Sequence, residues 1–473
     1  MNYPYEEKIA RSTVHENESI KAAMRAIDNG ALGIAFIVNA EGKFIGVVTD
    51  GDVRRATLQG VEIGRPIKEI ANTNPIVVSD KLTDEELLTL QNREPVRSIL
   101  AVGYSLKIPV LDSESKVKDI IVLYYGGEKT SRLSQHGSTY SEAVKKVLVI
   151  GCAGYLGSVL TRKLISSGYI VSGLDNLMYE DYGIRELYGK EGFNFIEGDI
   201  RDIRVLTQSA KGCDAVIHLA AIVGDPACKL DAEETISINY LATKMITEVC
   251  KYSQINRFLF ASTCSVYGAN ETPGVLITED SALNPLSLYA KMKIKSEKAI
   301  LEAMDDNFSP TILRMATLYG LSMRMRFDLV VNLLTAKATT EGKIAIFGGE
   351  QWRPLLHVDD AAEAYIRCLE TPLEEVRGQI LNVGSKQQNY RISELGTILQ
   401  DIIPNVQIEN IDDFTDVRNY SVDFDKISNV LGYKVERTIQ DGIIEIKHAC
   451  NEGKIGDYTD KRYSNYESLS EQL

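Results

Sequence analysis

The sequence predicts an α/β protein, namely a doubly wound parallel sheet with a smaller C-terminal lobe, preceded by a separate small α/β module. Two patterns support this fold. From Val144 onward, short apolar strands alternate with helix-compatible segments, an order that places helices on both faces of a parallel sheet. Between Ile9 and about Tyr125, the order helix, strand, strand, helix occurs twice, which is typical of a duplicated module.

The two copies of this module have elements of ordinary length, identified by apolar periodicity. The predicted elements of the first copy are a helix at 19–29, strands at 34–38 and 44–49, and a helix at 51–59. Those of the second copy are a helix at 83–91, strands at 98–102 and 107–111, and a closing segment at 117–124.

The domain boundaries follow from a change in composition. The segment GGEKTSRLSQHGSTYS at 126–141 is rich in Gly, Ser and Thr and lacks apolar periodicity, which is typical of a flexible linker. We therefore expect a module at 1–125, a linker at 126–143 and a larger domain at 144–453. The remaining residues, 454–473, form a polar tail that we expect to fray.

Charge and composition exclude several classes of protein. The net charge of -14, without any block of Lys and Arg, argues against a nucleic-acid partner. The first residues are acidic without an apolar core, and no run is long enough to span a bilayer, so we expect a cytoplasmic protein without a membrane partner. The seven Cys are scattered without metal-ligand spacing, which predicts buried thiols and no metal site.

A glycine turn follows the first strand of the larger domain. KKVLVI leads into Gly151, Gly154 and Gly157, and a helix-compatible segment comes next, so these glycines lie where a pyrophosphate approaches a helix N-terminus. Asp175 ends the second strand, where a carboxylate suits a ribose diol and repels a 2′-phosphate, which favours NAD over NADP. The alternative is a plain turn with a capping Asp.

A possible catalytic pair lies further along the chain. Tyr289 and Lys293 are four residues apart and share one face of a predicted helix. A tyrosine with a pKa of about 10 is a weak base near neutrality, and a nearby positive charge stabilises its phenolate. By itself such a spacing is usually a solvated helix face, but downstream of the glycine turn it indicates proton transfer to and from a hydroxyl.

From about Lys145 to Cys450 the chain resembles the extended short-chain dehydrogenase/reductase family, in its sugar-nucleotide epimerase and dehydratase branch, similar to the UDP-glucose 4-epimerases. The resemblance implies a Rossmann-type fold, tightly bound NAD, a sugar-nucleotide substrate and a homodimer or higher homo-oligomer. The motifs that carry it are GCAGYLG at 151–157, LDNL at 174–177, GDIRD at 198–202, HLAA at 218–221, ASTCSVYG at 261–268 and YAKMK at 289–293.

The resemblance also implies roles for individual residues. Thr263 matches the hydroxyl residue that contacts the reacting oxygen, and Ser265 and Ser262 are the less favoured alternatives for this role. Ser265 is also a candidate substrate-binding residue, and Lys293 would also hold the nicotinamide ribose. The residues implied to bind the cofactor are Gly151, Gly154, Tyr155, Leu156, Gly157, Asp175, Asn176, Asp199, Ile200, Leu219, Ala220, Ala221, Asn239 and Lys293.

The substrate side is matched less completely. Ile346 and Phe347 would face the base and Arg353 the diphosphate, although an exposed ion pair is an alternative for this Arg. Asn332 and Asp416 also match nucleotide-binding positions. Thr317 stands where hexose epimerases carry an Asn, so the usual diphosphate contact differs and the sugar stays open.

Two residues help to distinguish between the reactions that this family catalyses. Dehydratases of this branch carry Asp-Glu directly after the Thr, because elimination of water needs a further acid and base. Cys264 and Ser265 stand there instead, which favours a 4-epimerase with a transient 4-keto intermediate. A 4-ketoreductase or dehydratase is the alternative enzyme. A sensor of NAD or nucleotide without turnover is the non-enzymatic alternative.

The N-terminal module carries its own motif. IGVVTDGDVRRA at 45–56 resembles the nucleotide-binding signature of CBS domains, and Thr49 and Asp52 match its Thr and Asp. The resemblance implies a CBS pair that binds an adenine nucleotide and regulates the enzyme. The second copy lacks the Thr/Asp pair, so at most one site is complete. Binding of the sugar nucleotide, or a purely packing role, are the alternatives.

Overall fold

The computed structural model describes residues 5–30, 32–83, 86, 89–90, 94, 96, 106–123, 130–132, 144–269, 275–411 and 419–471. The chain divides into two compact units, Met1–Glu142 and Ala143–Leu473. None of the helices in the described residues combines the length and apolar character that a membrane crossing requires.

The N-terminal unit contains two small sheets. Strands β1, β2 and β3 form the first sheet, and β4, β5, β6 and β7 form the second. The bounds are α1 Tyr5–Arg11, β1 Thr13–His15, α2 Ile20–Gly30, β2 Ile34–Val38, β3 Phe44–Thr49, α3 Asp50–Leu58, β4 Val78–Ser79, β5 Leu106–Leu111, β6 Val117–Leu123 and β7 Thr130–Arg132.

The first predicted copy of the module is confirmed to within one residue at each boundary. Its core is made by apolar side chains that recur with the expected periodicity, such as Ile20, Ala23 and Ile27 on one face of α2. For the second copy, the predicted strand at 107–111 is confirmed, and the predicted closing segment at 117–124 forms a strand over Val117–Leu123. The predicted helix at 83–91 lies largely, and the strand at 98–102 wholly, outside the described residues.

One part of the predicted linker is ordered, contrary to our expectation of flexible chain. Thr130–Arg132 pairs antiparallel with Ile121–Leu123 of β6, so its backbone groups complete an edge of the second sheet. Its Thr-Ser-Arg composition gives no apolar alternation, which is why periodicity missed this strand.

The C-terminal unit is built around a seven-stranded parallel sheet. Its strand order is β10-β9-β8-β11-β12-β13-β17, with every neighbouring pair parallel. The predicted Rossmann-type sheet is thus confirmed, because the strand order reverses beside β8 and opens a crevice at the carboxyl ends. The sheet strands are β8 Lys146–Ile150, β9 Ile170–Asp175, β10 Phe193–Glu197, β11 Ala215–His218, β12 Arg257–Thr263, β13 Ser309–Met315 and β17 Ile380–Val383.

Helices cover both faces of this sheet, and apolar helix side chains such as Leu160 and Leu206 pack in the two cores beside it. The first of them, α4, begins directly after the glycine turn. The bounds of the helices beside the sheet are α4 Tyr155–Ser166, α5 Ile203–Ala210, α6 Asp225–Leu230, α7 Ala232–Ile236, α8 Ala242–Tyr252, α9 Leu288–Glu302, α11 Val358–Glu370 and α12 Leu373–Val376. The helix between α9 and α11 in sequence, α10 Val330–Thr340, is the first helix of the smaller lobe.

The smaller lobe has a separate apolar core that includes Ile344, Leu395 and Ile443. In it, β14, β16 and β18 form one short sheet and β15 pairs with β19. The bounds are β14 Thr317–Tyr319, β15 Lys343–Phe347, β16 Trp352–His357, β18 Asn389–Arg391, α13 Ile392–Ile402, β19 Gln407–Ile411, α14 Asp425–Leu431 and α15 Ile439–Asn451.

The predicted polar tail contains regular structure in its described residues, 454–471, where we expected fraying. It forms a short 3-10 helix at Lys461–Tyr463 and a final helix, α16 Asn465–Ser470. Leu469 is buried in the core that covers one face of the sheet, and Tyr458 and Tyr463 pack edge-on against Phe327. Three well-spaced apolar anchors therefore fix a segment whose average composition is polar.

Candidate active site

A cavity of about 830 Å³ opens at the carboxyl ends of the sheet strands, between the sheet and the smaller lobe. Its walls include the glycine turn, the ends of β9, β11 and β12, the start of α9 and the strand pair of the lobe. The crevice at the strand-order reversal is where open α/β sheets bind their ligands. The cavity is therefore the candidate active site.

The glycine turn is shaped for a dinucleotide. Gly151 has φ +90, and a Cβ there would meet Ala220 N at 2.7 Å. A Cβ on Gly157 would lie 1.9 Å from Gly151 O, so only glycine lets α4 pack this close to the turn. Gly154 is the N-cap residue of α4 and has no side chain to cap the helix. A Cβ on Gly154 would meet only Gly151 O, at 3.4 Å. The approach to the helix N-terminus is open for a phosphate group.

Asp175 lies at the end of β9, beside this turn. Its carboxylate accepts hydrogen bonds from Ala153 N at 2.9 Å and Leu177 N at 3.0 Å. Burial raises the pKa of Asp175, and these backbone N–H groups oppose that rise. They fix the carboxylate at the cavity wall, where it is placed to accept from a ribose diol. The arrangement of the turn and of Asp175 fits NAD.

The other residues implied to bind the cofactor lie mostly on the same wall. Asp199 forms a bidentate pair with Arg201, which lowers the pKa of Asp199. The implied cofactor residues that line the cavity are Gly151, Gly154, Tyr155, Leu156, Gly157, Asp175, Asn176, Asp199, Ile200, Leu219, Ala220, Ala221 and Lys293.

Tyr289 and Lys293 lie together at the base of the cavity, in the first turns of α9. Ser287 starts this helix by accepting from Ala290 N. The Nζ of Lys293 donates to Ala261 O at 2.7 Å and lies 5.8 Å from the centre of the Tyr289 ring. Burial lowers the pKa of Lys293 to about 8. The spacing predicted from sequence is thus realised as a contact pair.

Thr263 completes this group from the end of β12. Its hydroxyl accepts from Ser265 N at 3.1 Å, and both residues line the cavity with Tyr289. Burial raises the pKa of Tyr289 above its ordinary value of 10, and hydrogen bonding with Thr263 opposes that rise. The arrangement can move a proton between a bound hydroxyl and the phenol.

A buried ionic network behind the catalytic group was not predicted. Glu297 accepts from Arg314 Nη2 at 2.7 Å and from Arg314 Nε at 3.1 Å, and Ser262 also donates to it. Arg314 donates further to the Tyr267 hydroxyl at 2.9 Å. The network joins α9 to β12 and β13 directly below Lys293. The signal was available, because a Glu four residues after Lys293 lies on the same helix face.

The substrate side agrees with the sequence in part. Ile346, Phe347 and Arg353 line the cavity, as does Thr317. Arg353 is only 7% exposed and donates to Trp352 O at 2.8 Å, so the alternative of an exposed ion pair is wrong. Asp416 lies outside the described residues.

Two residues matched by position, Asn332 and Asn239, are not among the residues that line the cavity. Asn332 is fully buried, accepts from Gly320 N and donates to the Tyr155 hydroxyl and Arg326 O. Asn239 bonds both the N–H and the carbonyl of Ile222. Internal hydrogen bonds use both amides, so they shape the wall of the cavity.

Several cavity residues were missed. Arg326 pairs bidentately with Asp328, and Arg324 lies 4.4 Å from the Tyr179 ring at only 4% exposure. Burial lowers the pKa of Arg324 to about 10. Two arginines in the otherwise apolar run LSMRMRFD were a readable signal. Asn465 and Tyr466 of α16 also line the cavity, and no motif marks them.

Thr49 and Asp52 lie in the N-terminal unit, at the start of α3. Thr49 caps this helix, and Asp52 accepts from both the N–H and the hydroxyl of Thr49. Asp52 also pairs with Arg55. These contacts form a capping box, which stabilises the start of α3. Such a structural role agrees with the alternative that the N-terminal module serves only for packing.

Comparison with known proteins agrees with this site. Residues 147–384, half of the chain, match the model of the NAD dependent epimerase/dehydratase family, and residues 9–59 match that of the CBS domain. A UDP-glucuronate 4-epimerase of Thermodesulfobacterium geofontis is 28% identical over 313 residues, 63% of this chain and 93% of the relative. A dTDP-glucose 4,6-dehydratase of Shigella flexneri is 29% identical over 337 residues, 63% and 90% of the two chains.

Solved structures extend the likeness to the fold and the cofactor. The UDP-glucuronic acid 4-epimerase from Bacillus cereus, in complex with UDP-glucuronic acid and NAD, has a TM-score of 0.59 and 27% identity, covering 65% of this chain and 99% of that chain. NAD is therefore the cofactor of this enzyme unit, and the glycine turn with Asp175 fits it. The chain belongs to the NAD-dependent epimerase/dehydratase family of enzymes and carries a CBS domain ahead of the enzyme unit.

Proposed function

We propose that this protein is a UDP-sugar 4-epimerase. It oxidises the C4 hydroxyl of the sugar to a ketone and reduces that ketone from its opposite face. The observation that carries the proposal is the group of Tyr289, Lys293 and Thr263 at the cavity wall, with Cys264-Ser265 in place of an acid pair. Cys264 is fully buried and burial raises the pKa of its thiol, so this position supplies no acid for elimination.

Each member of the group has one task in this cycle. Tyr289 takes the proton of the C4 hydroxyl and later returns it, while Lys293 keeps a positive charge beside the phenol. Thr263 orients the reacting oxygen by a hydrogen bond. NAD, when bound, would supply the acceptor for the hydride that leaves C4 and the donor for its return.

The nucleotide part of the proposal rests on charge and on the relatives. Arg324, Arg326, Lys337 and Arg353 line the cavity, and such cations suit a diphosphate. The named relatives act on or bind UDP-glucuronate and dTDP-glucose. 4-Epimerisation and 4,6-dehydration start with the same oxidation at C4. An assay is therefore needed to identify the sugar substrate and to decide which of the two reactions follows.

The assay uses the purified protein with UDP-glucose, UDP-galactose, UDP-glucuronate, UDP-N-acetylglucosamine and dTDP-glucose, without added reductant. We expect the C4 epimer of at least one UDP-sugar, identified by NMR of the anomeric protons. A product that forms only with added NADH marks a ketoreductase, and a product lighter by one water marks a dehydratase. Binding without any turnover would support the sensor and overturn the proposal.

We further infer that an adenine nucleotide at Thr49 and Asp52 regulates the enzyme. The match of both residues to the CBS signature supports this role, and the match of the family model to residues 9–59 agrees with it.

Calorimetry with AMP and ATP tests this regulatory site. We expect Asp52→Ala to abolish the binding heat seen with wild type. Asp441→Ala is the matched control, because Asp441 forms the same kind of capping box with Thr438 in α15. Equal heats in wild type and Asp52→Ala would dispose of the site.

A further inference from the structure

The residues 457–471 form a segment that we call the C-terminal strap. The strap lies beyond the part of the chain that matches the family model, which ends at residue 384. It nevertheless supplies two residues, Asn465 and Tyr466, to the wall of the active-site cavity. Its contacts explain how it is held there.

The first contact of the strap is with the arginine-containing loop at 324–328. Phe327 N donates to Tyr463 O at 2.9 Å, and the Phe327 ring meets the rings of Tyr463 and Tyr458 edge-on. Asn465 N donates to Asp328, the carboxylate that pairs with Arg326. The strap thus fixes the loop that carries the cationic side chains of the cavity.

The second contact is with the chain that follows β11. Asn465 Nδ2 donates to Val223 O at 3.0 Å, and Leu469 packs in the same core as Ala227 and Cys228 of α6. Tyr289 packs against this core as well. Asn465 therefore lies beside the segment that follows β11, which also lines the cavity, whereas Ile346 and Phe347 belong to the lobe.

The third contact is with the loop after β9. The guanidinium of Arg462 lies 5.5 Å from the centre of the Tyr182 ring. The strap thus joins three segments of the C-terminal unit that are far apart in sequence. All three segments, and the strap itself, contribute residues to the lining of the cavity.

We propose that Asn465 and Tyr466 determine which sugar the enzyme accepts, an inference that rests on the proposed function. Asn465 is 3% exposed, and its Oδ1 has no hydrogen-bond partner within the described residues, although Nδ2 is bound. A buried amide oxygen is costly to leave unpaired, and a sugar hydroxyl is a suitable donor. The ring of Tyr466, 40% exposed, offers an apolar face to the sugar ring.

The test separates binding of the sugar from binding of the nucleotide. The dissociation constants of UDP and of the UDP-sugar that wild type binds most tightly are measured by calorimetry on the full chain. We expect Asn465→Ala and Tyr466→Ala to weaken the UDP-sugar at least about tenfold and to leave UDP within about twofold. Ser470→Ala, an exposed position of the same helix, is the matched control and should change neither.

Each other outcome overturns the inference. Equal weakening of UDP and UDP-sugar, or a lower melting temperature with unchanged dissociation constants, shows that the strap has only a structural role. Because the readout is binding, it is independent of turnover. If the wild-type protein binds a UDP-sugar more tightly than UDP but does not epimerise it, the proposed function is contradicted. The binding data for Asn465→Ala and Tyr466→Ala then still decide whether these two residues select the sugar.

Discussion

Tyr289→Phe is expected to lower kcat by about 10²–10⁴-fold while the protein keeps its NAD and its affinity for the UDP-sugar. The substitution removes only the phenolic oxygen, which is the atom that exchanges the proton with the C4 hydroxyl. The ring remains packed in the core beside α6, and Lys293 keeps its hydrogen bond to Ala261 O. The loss should therefore fall on the chemical step.

The measurement compares kcat for epimerisation, the NAD released on denaturation and the Kd of the UDP-sugar in wild type and variant. Tyr188→Phe is the control, since Tyr188 is 42% exposed and does not line the cavity. A Tyr289→Phe enzyme that retains more than about a tenth of wild-type kcat would contradict the assignment of Tyr289 as the proton-transfer group.

Glu297→Ala is expected to lower the free energy of unfolding of the C-terminal unit by about 3–5 kcal/mol. The Glu297 and Arg314 side chains are only 4% and 3% exposed, and two hydrogen bonds join them. Removing the carboxylate leaves the Arg314 guanidinium buried without a counter-charge, and Ser262 without its acceptor. The cost of that stranded charge exceeds the ordinary cost of losing an ion pair.

Urea unfolding followed by circular dichroism measures this change. Glu302→Ala is the matched control, since Glu302 lies on the same helix and its pair with Lys298 is exposed. We expect no measurable change in the control. A Glu297→Ala midpoint that coincides with wild type would mean that the network does not hold α9 to the sheet.

Much of this fold could be predicted from the sequence because its signals are local. The apolar strands of the sheet, the glycine turn and the Tyr289–Lys293 spacing each lie within a few residues, and backbone geometry converts them directly into structure. The first copy of the CBS module was placed to within one residue for the same reason. Motifs in a fixed order also identified Thr263 and Asp175, which both line the cavity.

The errors come from contacts between distant parts of the chain. Asn332 and Asn239 match binding positions, but their side-chain amides form hydrogen bonds with Tyr155 and Ile222. These partners are distant in sequence, so no local pattern predicts them. The strap was predicted to fray because its composition is polar, although three anchors suffice to dock it. Arg324 was overlooked because two arginines in a short run give no periodic signal, although their presence in LSMRMRFD was itself readable.

The cavity wall runs from the glycine turn, at the beginning of the C-terminal unit, to α16, after all its other helices. The strap that borders this cavity is therefore separated from the glycine turn by most of the sequence of the C-terminal unit. Without the strap, the core surface that Leu469 covers would be exposed, and such surface invites association with other chains. One segment thus serves both the wall of the cavity and the protection of the core from misassembly.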